Sequence, residues 1–484
     1  MNAHESYDVV VGLEVHIQLS TESKLFAADS TAFGKEPNSN VSVIALAHPG
    51  TLPKLNKKAV EYAIRMGLAC NSEISRYCIF DRKNYFYPDL PKGFQTTQDR
   101  TPICIGGTVP IELKDGRETV VQLNRIHLEE DAGKSIHDDE SEDSLIDLNR
   151  AGVPLIELVT EPCISSAEEA MTFLTEIRSM VRYLEICDGN MEQGSLRCDA
   201  NISVKKKGDA ELGRKVEVKN MNSIRNVGRA IKYEFERQVK LLESGEDIIS
   251  ETRLFDANTG TTSGMRTKEE LNDYRYFPEP DLSPFTVYEE WLKQIETEMP
   301  LTPGKTREKL IQDYGLTKYD AGVLSAEKDV SRFFEEVCQE TNHHKQVANW
   351  LIGPVKSILN EKDSNDLKMP LSSQQLADLV DSIEEGKVNK LVASKEVFPF
   401  LIQNPEKGVD DAIRELGLTQ VSKDDISDVI LKVLDQHPDK VKAYQNGKKN
   451  LIGMFMGEVM KETGGAADPK ETNELLRKTL EEKN

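Results

Sequence analysis

Residues 13–19 alternate without a break: Leu13, Val15, Ile17 and Leu19 face one way, and Glu14, His16 and Gln18 the other. That is the period of a strand with one buried face. The pattern returns at 196–204, where Arg197, Asp199, Asn201 and Ser203 oppose Leu196, Cys198, Ala200 and Ile202. It returns again at 215–219, where Val216 and Val218 alternate with Lys215, Glu217 and Lys219. Extended runs at Val109–Leu113 and Thr119–Leu128 flank Asp115-Gly116, which predicts a hairpin. Helical spacing interrupts the strands. Ser166 and Glu169 form a capping box ahead of Ala170, Phe173, Leu174, Ile177, Val181 and Leu184. Asn226–Leu242 is a second amphipathic stretch. Hairpin-linked strands interleaved with helices predict an α+β domain rather than a doubly wound sheet.

Beyond the proline-containing stretch Tyr276–Pro284 the period changes, and helical spacing runs from Val287 to Leu401, as in Asp329–Glu340 and Lys345–Leu359. Pro354 is expected to kink or divide the latter. A last helical block begins near Lys407, is interrupted at Gly464-Gly465 and Pro469, and ends in a terminal helix over Lys470–Lys483. The expected organisation is one large α+β domain over 1–292, a helical middle domain over 293–405 and a helical tail over 406–484.

Composition narrows this picture only slightly. Lys and Arg number 61 against 83 Asp and Glu, a net charge of −22. That balance argues mildly against nucleic-acid binding, although a basic patch can coexist with an acidic surface. No apolar run is long enough for a membrane span, and the polar, acidic start from Met1 to Asp8 reads as no targeting segment, so a cytoplasmic protein is expected. The seven cysteines are scattered, with no Cys-x-x-Cys pair, which speaks against a disulfide framework and a four-cysteine zinc site. Cys198 reads as a small core residue.

Candidate chemistry lies in four places. Glu14 and His16 leave one strand face together, a spacing that suits two ligands of one ion or a water-facing edge strand. Glu129, Glu130 and Asp131 end a strand; such carboxylates make a hard-cation site, or an acidic loop. Glu157 stands alone in the apolar run Pro154–Thr160 and needs a cation or donors nearby. Phe80–Gln95 packs aromatics, prolines and basic residues together, among them Arg82, Lys83, Tyr85 and Lys92. Flat rings and fixed cations suit a nucleotide or an RNA 3′ end, or a packed surface loop. Asp273–Pro280 has a similar character. Neither Gly-Lys-Ser/Thr triplet, at 133 and 304, has the glycine a phosphate loop requires, because Leu128 and Met299 stand there. Any ATP chemistry must therefore run through a site without a phosphate loop, built of carboxylate-held Mg²⁺ and lysines.

Taken together and in order, Val11–His16, Asp81–Pro88, Leu128–Lys134, Asp147–Arg150, Pro154–Glu157, Gly194–Asn201, Lys219–Ser223 and Asp273–Pro280 resemble the B-subunit family of the aspartyl/glutamyl-tRNA amidotransferases. Gly447-Lys448, Met456-Gly457 and Gly464–Pro469 resemble its tail. The resemblance implies a catalytic cradle domain, a helical middle domain and a tail that reaches the tRNA body. It also implies a heterotrimeric complex in which the A subunit is an amidase and the C subunit is small. Using ATP and Mg²⁺, the family phosphorylates the side-chain carboxyl of Glu or Asp esterified to tRNA, and ammonia then displaces the phosphate. Carried over, Glu14, His16, Glu129 and Glu157 hold the Mg²⁺, and Arg82, Lys83 and Tyr85 contact the nucleotide. Lys83 and Lys92 sit near the phosphoryl group or the aminoacyl end, and Asp199 completes the pocket.

One departure follows Pro37-Asn-Ser-Asn40, where many relatives carry Cys-x-x-Cys and this chain continues Val41-Ser-Val-Ile-Ala45. No zinc is expected, and packing is expected to hold that loop. Two other readings stay open: a tRNA-binding scaffold without catalysis, and a metal-dependent phosphohydrolase of small molecules. The choice between Glu-tRNA and Asp-tRNA, and the residues that conduct ammonia, are not legible.

Overall fold

The computed structural model describes residues 6–137, 143–267, 274–361, 368–418, 423–463, 467 and 469–482. Asp273 and Gly464-Gly465, singled out above, lie outside the described residues. The chain divides between Pro303 and Gly304 into two compact units.

The strands that build the first unit are β1 (Tyr7–Gln18), β2 (Asp81–Asn84), β3 (Phe94–Thr97), β4 (Glu118–Glu130), β5 (Pro154–Thr160), β6 (Leu196–Lys206), β7 (Val216–Lys219), β8 (Glu251–Asp256), β9 (Thr261–Thr267) and β10 (Arg275–Pro278). A ten-stranded sheet runs β9-β8-β7-β6-β1-β5-β4, then the short strands Cys104–Ile105 and Glu73–Ile74, with Thr108–Glu112 also on β4. A smaller sheet has the order β10-β2-β3. The three principal helices are α1 (Lys57–Ala69), α2 (Ala167–Tyr183) and α3 (Ile224–Ser244).

The expected alternation is realised in β1, where Val9, Val11, Leu13, Val15 and Ile17 are buried and Glu14, His16 and Gln18 half-buried. The apolar side belongs to a core shared with Phe173, Leu174 and Ile177 of α2 and Ala230, Ile231 and Phe235 of α3. Helices therefore seal one face of the sheet and leave the other for chemistry, the α+β arrangement expected. The β7–α3–β8 unit supplies a parallel pair; β1 is antiparallel to both of its neighbours.

Local signals explain the helix ends. Ser166 Oγ accepts from Glu169 N–H, but the reciprocal bond from Glu169 closes on Ser165 N–H, one residue earlier than the capping box places it. Ser223 caps α3, and Gly245, with φ 78°, ends it in the left-handed conformation that glycine adopts without strain. The hairpin turns at Gly116, and its second strand runs on to Glu130, so Glu129 and Glu130 are strand residues rather than loop.

The loop after Pro37 is held differently from expectation. Asn38 N–H donates to Asp147 Oδ1 at 3.0 Å and its side chain exchanges bonds with 146–148, while Asn40 N–H donates to Asn149 at 2.7 Å. Hydrogen bonds, more than packing, fasten this segment. The helix Glu289–Glu298 spans the expected boundary at 292; Leu292 and Ile295 are buried in the first unit's core, which keeps the whole helix there.

The second unit is helical. One core gathers residues between Leu310 and Ala412, and another residues between Ile426 and Leu480. Pro354 sits in a wide π-helical turn, Leu351–Val355, that joins His344–Trp350 to Lys356–Glu361 without a break in the helical backbone. Among the described residues no helix is long and apolar enough to cross a membrane.

Glu234 of α3 is fully buried and ties three elements together. Arg237 donates to it at 2.9 Å, Gln238 at 3.2 Å, Arg253 of β8 pairs with it at 3.2 Å, and Thr262 of β9 also donates. Glu234→Ala takes the carboxylate from Arg237 and leaves Arg253 only Glu251 and Thr262, so urea unfolding followed by circular dichroism is expected to show a loss of about 3 kcal/mol. Glu234→Gln, which keeps the acceptor oxygen, is expected to lose less.

Candidate active site

Cross-strand register, not sequence proximity, assembles the open sheet face. One row across β4, β5, β1 and β6 reads His127, Glu157, His16, Arg197. The next reads Arg125, Val159, Glu14, Asp199. A third places Gly12, Asn201 and Glu217 side by side. Neighbours in a row stand about 5 Å apart at the backbone, and rows about 7 Å.

Two acidic groups result. His16, Glu129 and Glu157 offer ligand atoms within 4.8 Å of one another, and so do Glu14, Asp199 and Glu217. In the first, His16 Nε2 lies 3.8 Å from Glu129 and 3.7 Å from Glu157, and Thr97 Oγ1 donates to Glu129 at 3.3 Å. His127 Nε2 bridges the same two carboxylates at 3.5 and 3.3 Å. In the second, Asn201 donates to Glu14 at 2.9 Å, and the Lys219 ammonium sits 2.6 Å from Asp199 and 3.0 Å from Glu217. Of the four expected metal ligands, His16, Glu129 and Glu157 converge within 4.8 Å, while Glu14 is grouped with Asp199 and Glu217 beside them. Glu14 stands one row along from His16 and joins Asp199, because each residue takes the partners its register dictates.

The electrostatics are those of an acid-rich site short of positive charge. Burial, then the charges of Glu157 and Glu217, raise the Glu14 carboxyl above its usual range, against Lys219 and Asn201. Burial opposes ionisation of Glu157, but the hydrogen bond and charge of His127, with His16 and Lys83, outweigh it and hold that carboxyl well below the usual range. Burial likewise opposes charge on His127, yet its bonds to Glu129 and Glu157 lift it to about 9. Repelling carboxylates with a facing imidazole are the donor set of a divalent cation, which removes that repulsion.

Lys83 reaches this face from β2. Its ammonium lies 4.7 Å from the Tyr274 ring and 5.9 Å from Tyr85; despite burial its pKa is raised by Glu129, Tyr276 and Glu157. Tyr85 packs edge-on to Tyr87 and Tyr274, and burial pushes its phenol up. Phe86 is 87% exposed beside them.

Arg82 and Lys92 are not brought to this face. Strand alternation turns Arg82 away from Lys83 and Glu130 away from Glu129, into a separate cavity of about 300 Å³. There Arg82 forms a bidentate pair with Glu279 at 2.7 and 2.8 Å and stacks 4.1 Å over Phe94. Lys92 pairs with Glu130 and donates to Thr96 at 3.1 Å.

Sequence reasoning did not select His127, Glu217, Lys219 or Arg125. Glu217 and Lys219 share the alternating pattern of β7, but their alignment with Asp199 is a matter of register. Asp131 looked like a third ligand; it is instead committed to Arg197 at 2.9 Å and Gln18 at 2.6 Å.

Residues 9–293 match the family described as the GatB/GatE catalytic domain, and residues 332–480 the GatB domain. The chain is 50% identical to the B subunit of the aspartyl/glutamyl-tRNA(Asn/Gln) amidotransferase of Thermodesulfovibrio yellowstonii, over 98% of this chain and 100% of that one. The proteins of the same name from Thioalkalivibrio sulfidiphilus and Rickettsia bellii are each 45% identical, over 98% of this chain and 100% and 98% of theirs.

His127 gives the site a pH signature. Its pKa is raised from 6.5 to about 9, so its ion pairs contribute fully below pH 6.5 and are lost as pH rises through 9. In metal-free protein, the stability gap between wild type and His127→Asn is expected to shrink by roughly 3 kcal/mol across that window. Urea midpoints taken at intervals of pH measure it, and a gap flat in pH refutes the pairing.

Proposed function

The chain belongs to the family of aspartyl/glutamyl-tRNA(Asn/Gln) amidotransferase B subunits, and from that premise we propose that the His16–Glu129–Glu157 face with Lys83 carries out its ATP-dependent step. The function follows from membership. The chain serves in an amidotransferase of several subunits, a ligase that uses ATP and takes its amide nitrogen from glutamine. It converts misacylated Glu-tRNA(Gln) or Asp-tRNA(Asn) to Gln-tRNA(Gln) or Asn-tRNA(Asn).

Two displacements are required. A side-chain carboxylate oxygen of the aminoacyl group attacks the γ-phosphorus, the bond to the bridging oxygen breaks, and ADP leaves. Ammonia then attacks the acyl carbon, the bond to the phosphate oxygen breaks, and inorganic phosphate leaves as the nitrogen gives up a proton. Both steps ask for positioning and charge neutralisation more than for covalent help. His16, Glu129 and Glu157 are the ligands we assign to Mg²⁺, with Glu14, Asp199 and Glu217 as an adjoining acidic set. The ion supplies positive charge to the triphosphate oxygens. Lys83 faces the same carboxylates and places a second positive charge at the edge of the site. His127 holds Glu129 and Glu157 at a fixed separation from behind. The exposed Phe86 and the Tyr85–Tyr274 pair are surfaces for a base or for the terminal adenosine of tRNA.

The finer assignments complete the reading. The partners are the amidase, as A subunit, with a small C subunit; the site of action is the cytoplasm, and the helical tail contacts the tRNA body. Lys92 and Arg82 belong to the second cavity and not to the phosphoryl site. The observation that carries the proposal is the convergence of donors from three strands within 4.8 Å, beside a lysine from a fourth.

The test bypasses the amidase. Amidation of Glu-tRNA by the complete complex with ammonium chloride, in place of glutamine, reports this chain's chemistry alone. Wild type is expected to need ATP and Mg²⁺, and Glu129→Ala to lose about 100-fold or more in rate, as removal of a metal ligand does. Equal activity of the two proteins, or turnover without tRNA, overturns the assignment in favour of a scaffold or of a phosphohydrolase.

A further inference from the structure

Arg125 stands on the open face of β4, in register with Val159 and one strand beyond it from Glu14. Its Nε is buried and has no hydrogen-bond partner among the described residues. The other arginines around the site are engaged: Arg82 with Glu279 and Asp281, Arg197 with Asp131, and Arg150 with backbone carbonyls of 132 and 133. Two residues along the same face, the Nδ1 of His127 is also buried without a partner. Buried polar atoms left unpaired are rare, and two neighbours on one strand face point to something that completes them. Tyr276 links Arg125 to the chemistry. Its phenol, raised chiefly by burial, lies within electrostatic reach of Lys83, Arg125, Asp99 and Glu129. A guanidinium on a rigid strand, on the same open face as the acidic groups and sharing Tyr276 with Lys83, matches a phosphate group in charge and in its forked donor geometry.

We propose that Arg125 is a phosphate-contacting residue of the ATP step, gripping with Lys83 the triphosphate whose metal is held by His16, Glu129 and Glu157. The inference rests on the site reading above and adds to it a residue that no motif or acidic cluster singles out. A tRNA phosphate is the rival occupant, and the experiment separates the two.

Arg125→Gln and Arg125→Lys are made in the complete enzyme, with all its subunits. Binding of a non-hydrolysable ATP analogue with Mg²⁺ is measured at equilibrium, and ammonium-driven amidation is followed with ATP and Glu-tRNA varied in turn. Arg125→Gln is expected to weaken analogue binding by about 10- to 100-fold, the contribution of charge-assisted hydrogen bonds. The KM for Glu-tRNA is expected to stay unchanged, and Arg125→Lys to recover part of the loss. Unchanged analogue binding with a raised KM for Glu-tRNA assigns the guanidinium to RNA and overturns the proposal. So does dissociation of the subunits in gel filtration, which makes Arg125 a docking residue. Glu129→Ala in the same assays keeps the two readings apart: if it retains ATP-dependent activity the whole site falls, and if it loses activity while Arg125→Gln behaves as wild type, only the Arg125 inference falls.

Discussion

The apolar face of β1 is the constraint from which the site follows. Val9, Val11, Leu13, Val15 and Ile17 are buried under α2 and α3, and a strand's side chains alternate strictly. Glu14, His16 and Gln18 therefore have nowhere to go but the opposite face. A slip of one residue exchanges the two sets, burying a glutamate and an imidazole and exposing five aliphatic side chains. Register on both sides of β1 is locked in the same way, by Ile156 and Leu158 of β5 and by Cys198, Ala200 and Ile202 of β6. The helices that never touch the chemistry thus determine which residues share a row.

That dependence explains what the sequence discloses and what it hides. Alternation within one segment is a local property, so the facing of Glu14 and His16, and of Arg197 and Asp199, was legible. Which residue of 154–160 stands beside His16 is not, because it depends on segments more than a hundred positions apart. The expected set of Glu14, His16, Glu129 and Glu157 ran across three rows of the sheet, and Glu217, on a further strand, was missed because its row is set by register. Parity misled in the aromatic–basic segment. Arg82 and Lys83 are adjacent in sequence and read as one patch, yet adjacent strand residues look in opposite directions. The family resemblance carried residues, and geometry separated them. The helix Glu289–Glu298 shows the corresponding limit for boundaries: its period is helical like that of the second unit, and only Leu292 and Ile295, by the core they enter, show that it belongs to the first.

A chain with a net charge of −22 that works on a polyanion has to solve a local problem, not a global one. Its open face carries six candidate ligands, five of them carboxylates, among a few placed cations: Lys83 from β2, Lys219 within the second acidic group, and Arg125 and Arg197 at the ends of two rows. These cations cannot replace a divalent ion. Each lysine carries a single charge at the tip of a long flexible arm, and Lys219 already serves Asp199 and Glu217. A dication at the first group satisfies three donors at once, after which a triphosphate meets a surface that is no longer acidic.

Nucleotide sites built on a glycine-rich loop bind phosphate with backbone amides at a helix start. On the assignment proposed above, this sheet binds with side chains instead, and the consequences differ. Side-chain ligands on strands are only as well placed as the strands, so ordering must come from behind: His127 between Glu129 and Glu157, Thr97 on Glu129, Asn201 on Glu14. The same rigidity couples the two faces of β4. Glu129 and Glu130 are consecutive, one grouped with His16 and Glu157 and the other paired with Lys92 in the cavity across the strand. The neighbouring strand β2 repeats the division with Lys83 and Arg82. Two stiff strands thus form a common wall between the carboxylate face and the second cavity. A displacement of either strand moves both spaces together, which makes their relative placement a property of the backbone rather than of any one side chain.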